Sequence, residues 1–196
     1  METTEIAPGL RISRIVTGLW QVADMERTGG KLDPERAAQS LAAYARAGFT
    51  SFDMADHYGS AEEIIGALAQ LPDVPAFTAF TKWCPEPGAM TADIALAAVD
   101  RACARMKAER IDLMQFHWWM YEHPAYIDAL RELARLKDAG RIAALGLTNF
   151  NTDHLRLALA AGIPVVTNQV CLSLLDRRAL GAMSTACRES GVRLLA

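Results

Sequence analysis

No stretch of this sequence stays apolar for the roughly 18 residues that a membrane-spanning helix requires. Nothing in the N-terminal METTEIAPGL joins a basic start to an apolar run, so no secretory signal is indicated. Basic clusters are equally scarce. The longest is the pair Arg177–Arg178, and a formal charge of −3 leaves no electrostatic footprint for nucleic acid or an anionic membrane. Four cysteines (Cys84, Cys103, Cys171, Cys187) are scattered, with no C-x-x-C and no histidine at ligand spacing. They read as reduced thiols rather than a zinc site or a disulfide framework, and no metal is expected. The G-x-G-x-x-G turn of nucleotide-binding open sheets is missing too. A soluble, cytoplasmic chain with neither nucleic-acid nor membrane partners is expected. Its 196 residues, 52% of them hydrophobic, suffice for one substantial core, so a single domain over residues 1–196 is expected.

What the sequence does have is an alternation. Pro8-Gly9 between apolar positions predicts a small hairpin over Glu5–Arg14. A strand over Ile15–Val22 follows, then a polar loop with Gly29 and Gly30. Asp33-Pro34-Glu35 supplies an N-cap, a first-turn proline and an acid for a helix that runs to Ala47 and stops at Gly48. The unit then repeats. Strands Ser51–Met54, Phe77–Lys82, Ile111–His117, Ala143–Leu147 and Pro164–Val170 are followed by helices Ser60–Leu71, Thr91–Met106, Ala125–Ala139, Thr152–Ala161 and Arg178–Ser190. A last strand, Val192–Leu195, closes the series. Near-continuous apolar runs such as VVTNQV and AALGLT are those of strands buried on both faces, and strand–helix alternation implies parallel pairing.

Polar residues at the strand ends decide between an open sheet and a barrel. Asp53, Lys82, His117, Asn149 and Gln169 each close a different strand, the second to the sixth in order. Around a barrel these positions converge on one mouth; along an open sheet they lie too far apart to cooperate. A closed barrel of this kind takes eight strands and typically about 250 residues. The sequence reaches Ala196 within its seventh strand. An incomplete (β/α)8 barrel is therefore expected, with about seven parallel strands, without the last strand and the last two helices. Its open edges invite self-association.

The densest chemistry lies in Ser51–Gly66, SFDMADHYGSAEEIIG, read as a short strand, a polar turn over Asp56–Ser60 and a helix closed by Gly66. Lys82 ends an apolar strand and calls for an acid nearby, which Asp53 on the neighbouring strand supplies. A cation beside Tyr58 favours phenolate and is expected to lower its pKa from about 10 towards neutrality, suiting a proton donor. His117 at the next strand end is placed to hydrogen-bond a substrate carbonyl. Taken singly, Lys82–Asp53 is equally a barrel-mouth ion pair and His117 a satisfied core histidine. Four such groups on three consecutive strand ends or their loops point to chemistry.

The pattern D-x-A-x-x-Y-G-x-x-E-x-x-x-G, here Asp53, Ala55, Tyr58, Gly59, Glu62 and Gly66, resembles the aldo-keto reductase signature. Lys82 in FTKW, His117 in LMQFHW, GLTNF (Gly146–Phe150), NQV (Asn168–Val170) and SLLDRR (Ser173–Arg178) extend the likeness from about Ile6 to the last residue. The resemblance implies a (β/α)8 oxidoreductase that reduces aldehydes or ketones with NADP, or NAD, as cofactor, or runs the reverse oxidation. It also implies that Tyr58 is the general acid, that Lys82 and Asp53 tune it, and that His117 orients the carbonyl. Asn149 and Gln169 would hold the nicotinamide carboxamide, and Thr148 stands where the family has a serine. In the family, loops after strands seven and eight hold the pyrophosphate and the 2′-phosphate; without them weak cofactor binding is expected.

Trp20, Trp83 and the pair Trp118–Trp119 are candidates for an apolar substrate pocket, with at most two of the four touching substrate. His57 reads as a loop residue and Glu62 as structural. Two alternatives stay open: a redox-responsive regulatory subunit, since potassium-channel beta subunits share the fold and tetrad, and an inactive fragment.

Overall fold

The computed structural model describes residues 1–23 and 32–196. The loop with Gly29 and Gly30 lies outside them.

Strands β1 (Thr3–Ala7) and β2 (Leu10–Ser13) pair antiparallel about Gly9, whose φ of 74° favours a residue without a side chain. After β3 (Thr17–Gly18) come α1 (Pro34–Arg46), β4 (Ser51–Asp53), α2 (Ala61–Leu68), β5 (Thr78–Trp83) and α3 (Ala92–Met106). Then follow β6 (Ile111–His117), α4 (Tyr126–Asp138), β7 (Ile142–Thr148), α5 (Thr152–Ala160) and β8 (Val165–Gln169). A 3₁₀ turn (Arg178–Leu180), α6 (Ala182–Ser190) and β9 (Arg193–Leu195) end the chain. The cap of α1 is the one the sequence predicts, Asp33 accepting from the N–H groups of Glu35 and Arg36; at α3, Thr91 accepts from that of Ile94.

The strands β3 to β9 form one seven-stranded sheet in sequential order, every pair parallel. The sheet is curled. Gln169 at the end of β8 donates to Asp53 of β4 at 3.2 Å, although four strand spacings separate them along the sheet. In a flat sheet that is about 19 Å. The strand ends therefore gather at one mouth, as in a barrel that is not closed, with β3 and β9 as edges.

Two apolar layers flank this sheet. The outer one packs the helices on the strands through residues such as Ile64, Leu68, Val99, Leu130, Leu133 and Leu155. The inner one is small: Phe80, Leu113 and Ala144 from the strands meet Ile6 and Ile12 of the hairpin. The hairpin thus stops the end of the barrel opposite the mouth. Ser13 N–H donates to Ser51 Oγ at 2.9 Å, and Thr78 Oγ1 donates to the Arg11 carbonyl at 3.2 Å.

Two expectations are corrected. The first barrel strand is two residues rather than Ile15–Val22, because the N–H groups of Val22 and Ala23 turn back onto the Leu19 carbonyl. Gly66 does not close α2 but lies inside it: a Cβ there would run into the carbonyl oxygen of Arg105, so glycine lets α2 lie against the backbone of α3. Among the described residues no helix is long and apolar enough to cross a membrane.

Candidate active site

Side chains alternate along a strand, so within β6 Leu113, Gln115 and His117 share the inner face. Register sets Lys82 opposite Gln115, and Gln115 opposite Gly146. Just inside the mouth these strands present an acid, an amine and an amide to one another. Lys82 Nζ donates to Asp53 Oδ2 at 2.6 Å and to the Met54 carbonyl at 3.0 Å. Gln115 Nε2 donates to Asp53 Oδ1 at 2.8 Å. With the bond from Gln169, the carboxylate receives three side-chain donors. All of Asp53, Lys82 and Gln115 are buried. Burial pushes the Lys82 ammonium below its ordinary range, against the pull of the Asp53 charge.

Tyr58 sits above this pair on the loop after β4. Lys82 Nζ lies 5.1 Å from its ring centroid, and Trp20 packs edge-on against it at 4.6 Å. Its phenol is not lowered, as the sequence predicts, but pushed up to about 12. Burial is the first cause and the Asp53 charge the second, with Cys84 and Asp56 adding to them. His117 is driven down to about 4 by burial, then by the charges of His57 and Lys82, so its ring is neutral at physiological pH.

The loop is clamped from behind. Glu62, buried in α2, accepts from Thr81 Oγ1 at 2.5 Å and from Arg105 at 3.2 Å, and Arg105 also donates to the Asp56 carbonyl at 3.1 Å. Asp56 in turn accepts from the Cys84 N–H through Oδ2 and pairs with His57 Nδ1 through Oδ1.

A cleft of about 400 Å³ opens over these groups. It is lined by Trp20, His57, Tyr58, Lys82, His117 and Trp119, and by Thr148, Asn149, Gln169, Val170, Cys171 and Ala196. Of the four tryptophans, Trp20 and Trp119 reach it. Trp83 and Trp118, expected at the substrate pocket, do not: each directly follows an inward-facing residue, Lys82 or His117, so each turns outward and packs on Phe116 behind the wall. Trp119 lies tilted over His117 with ring centroids 4.1 Å apart and donates through Nε1 to Cys84 Sγ at 2.7 Å. The sequence reading missed Gln115; the signal was a lone amide in the apolar strand LMQFH, two residues before the histidine.

Thr148 Oγ1 and His117 Nε2 are buried, belong to residues lining the cleft and have no protein partner among the described residues. Asn149 takes a left-handed backbone with φ 57°, its N–H donating to the Gln169 carbonyl at 2.8 Å. One unpartnered hydroxyl beside two amide side chains is a donor and acceptor set that fits a carboxamide, so these residues fit the nicotinamide group that the resemblance implies.

The family model described as "Aldo/keto reductase family" matches residues 14–196. The chain belongs to that family. An aldo-keto reductase of Mycobacterium sp. (strain JLS) is 32% identical over 176 residues, which are 88% of this chain and 59% of that protein. A 6-dehydroglucose reductase of Novosphingobium aromaticivorans is 32% identical over 164 residues, 75% of this chain and 51% of that one. The solved structure of the thermostable aldo-keto reductase Tm1743, in complex with the inhibitor epalrestat, has a TM-score of 0.87 at 26% identity, over 100% of this chain and 72% of that one. The chain thus spans little more than half the length of these curated aldo-keto reductase relatives.

Proposed function

We propose that this chain carries the proton-handling half of an NAD(P)H-dependent reductase of small aldehydes or ketones, or of the reverse alcohol oxidation. One observation supports this above the others: a buried Lys82–Asp53 pair lies under the ring of Tyr58 while His117 opens onto the same cleft.

The bound nicotinamide would supply the hydride that goes to the carbonyl carbon. The chain's own residues handle everything else. Thr148, Asn149 and Gln169 would hold the carboxamide. Neutral His117 offers its ring to the carbonyl oxygen without contributing a competing charge. Tyr58 keeps its proton through the physiological range, since its phenol is pushed up to about 12, and gives it up to the oxygen of the forming alkoxide. The phenolate left behind faces the Lys82 ammonium, which stabilises it. Trp20 and Trp119 give the cleft apolar walls for the body of the substrate. NADP is the proposed cofactor, with NAD as the alternative, and the cytoplasm the proposed compartment. Edges β3 and β9, each paired on one side only within the chain, are proposed to support self-association, which sedimentation would detect.

Fluorescence titration with NADPH and NADH, followed by a panel of aldehydes and ketones, tests the reading. Tyr58→Phe is expected to lower turnover by roughly 10²–10⁴-fold with an unchanged melting temperature. Wild-type rates in that variant, or neither binding nor turnover in the parent chain, would overturn it.

A further inference from the structure

Gln115 is a fully buried amide that the proposed chemistry does not use. Keeping it there has a cost. Its Oε1 is buried without a partner among the described residues, an arrangement that native interiors seldom retain. The neighbouring position on β7 is Gly146, in a strand interior where glycine is a poor choice. A Cβ on Gly146 would press on Gln115 Cγ at 3.2 Å and collide with Thr167 Oγ1. Glycine there makes room for Thr167 first and for the Gln115 stem second. The unpartnered Oε1 is offset by one contact: Gln115 Nε2 donating to Asp53 Oδ1 at 2.8 Å.

We propose that Gln115 is a positioning residue, holding Asp53 Oδ1 so that Oδ2 stays on the Lys82 ammonium. The carboxylate has two oxygens, and they are held differently. Oδ2 receives Lys82 and the longer bond from Gln169, at 2.6 and 3.2 Å, whereas Oδ1 has Gln115 alone among the side chains described. Without the amide, Oδ1 loses its side-chain donor, only the bonds at Oδ2 restrain the rotation of the carboxylate about its last bond, and the short contact to Lys82 loosens. Lys82 is then left with desolvation and weakened compensation. The other ionisable groups that face Lys82 are Tyr58 and Asp56, on the loop after β4, and His117 on β6. None of them is bonded to Asp53 among the contacts described.

The experiment uses the chain without cofactor, so it stands apart from the catalytic reading. The sequence has four lysines, Lys31, Lys82, Lys107 and Lys137, so Lys82 is resolvable in a ¹³Cε-lysine NMR pH titration, assigned through Lys82→Arg. In Gln115→Met, which keeps the stem and removes the donor, the Lys82 titration is expected to move to lower pH. In Gln115→Glu the new carboxyl, lying where the amide meets Asp53, keeps a proton and donates it to Oδ1 in the amide's place, so the titration is expected to return towards the parent value. A shift that appears when the donor is removed and recedes when a donor is restored is not produced by a residue that merely fills space. A Lys82 titration that stays in place in Gln115→Met, or moves equally in both variants, would overturn the proposal. So would loss of cooperative unfolding in both, which would make Gln115 a packing residue. Should the chain reduce carbonyls as proposed above, Gln115→Met is also expected to lower kcat on the order of tenfold with KM unmoved.

Discussion

The two sides of the barrel mouth are built differently. On the β4–β6 side, charged groups are buried and mutually satisfied: Asp53 takes three side-chain donors, and Glu62 is held by Thr81 and Arg105. On the β7–β8 side, Thr148 Oγ1 is buried without a partner among the described residues, and Asn149 and Cys171 are exposed. Just beyond, Leu174 and Leu175 are 96% and 98% exposed, far outside what an apolar core residue shows. The difference separates two kinds of task. A proton donor needs its electrostatics fixed before any ligand arrives, so its neighbours satisfy one another. Groups that recognise a ligand must keep bonding capacity uncommitted, at some cost to the fold.

The largest effect is expected from removing one member of the satisfied side. Lys82→Met leaves the Asp53 carboxylate buried with only its amide donors, and loss of one partner of a buried pair typically costs about 3–5 kcal/mol. Urea denaturation should show a loss near the lower figure, because Gln115 and Gln169 still donate. Adding Asp53→Asn should recover most of it. A single variant as stable as the parent would show that the pair is not the settled unit described here.

The next effect is a pH dependence, and it belongs to His117, a titratable group on the β4–β6 side whose Nε2 has no partner among the described residues. His117 titrates near 4 in the folded chain against about 6.5 when unfolded. Between those values the unfolded chain binds a proton that the folded chain does not, so stability rises with pH across the window and falls as pH drops from 6.5 towards 4. Below that, both states are protonated and this contribution stops changing. The full window is worth about 3–4 kcal/mol, and with the ring lining the open cleft the expected loss is on the order of 2–3 kcal/mol. Comparison with His117→Gln cancels the parts due to Glu62 and Asp112, whose carboxyls burial pushes up. Parallel stability curves for the two proteins would remove His117 from the buried neutral state.

Much of this was legible because polar side chains closing apolar strands are costly unless they serve one another. Asp53, Lys82 and His117 could be placed at one mouth on that ground alone, and the alternation of β-strands was strong enough to give the sheet order. Where the reading failed, it had neglected a physical term. The pKa of Tyr58 goes up through desolvation first and the Asp53 charge second, causes that depend on depth rather than on neighbours in sequence. Trp83 and Trp118 could have been excluded by parity, each being one residue past an inward-facing group. Gln115 was available by the same rule. The short β3 and the place of Gly66 within α2 were out of reach, since one depends on how the chain turns at Leu19 and the other on how closely two helices approach.

The smallest effect tests the uncommitted side. Thr148 is 6% exposed and its hydroxyl has no protein partner among the described residues, so the folded chain carries a desolvated polar group without return. Thr148→Val keeps the branched shape and removes that group. Folding stability is expected to stay level or rise by up to about 1 kcal/mol, opposite in sign to Lys82→Met. NADPH affinity, read by fluorescence titration, is expected to fall, by roughly 3- to 10-fold for one neutral hydrogen bond worth about 0.5–1.5 kcal/mol. Gain in one measurement with loss in the other is the mark of a group kept for a ligand. A Thr148→Val chain that is clearly less stable, with NADPH affinity unaltered, would mean that the hydroxyl serves the fold, and that the two sides of the mouth do not differ in the way proposed.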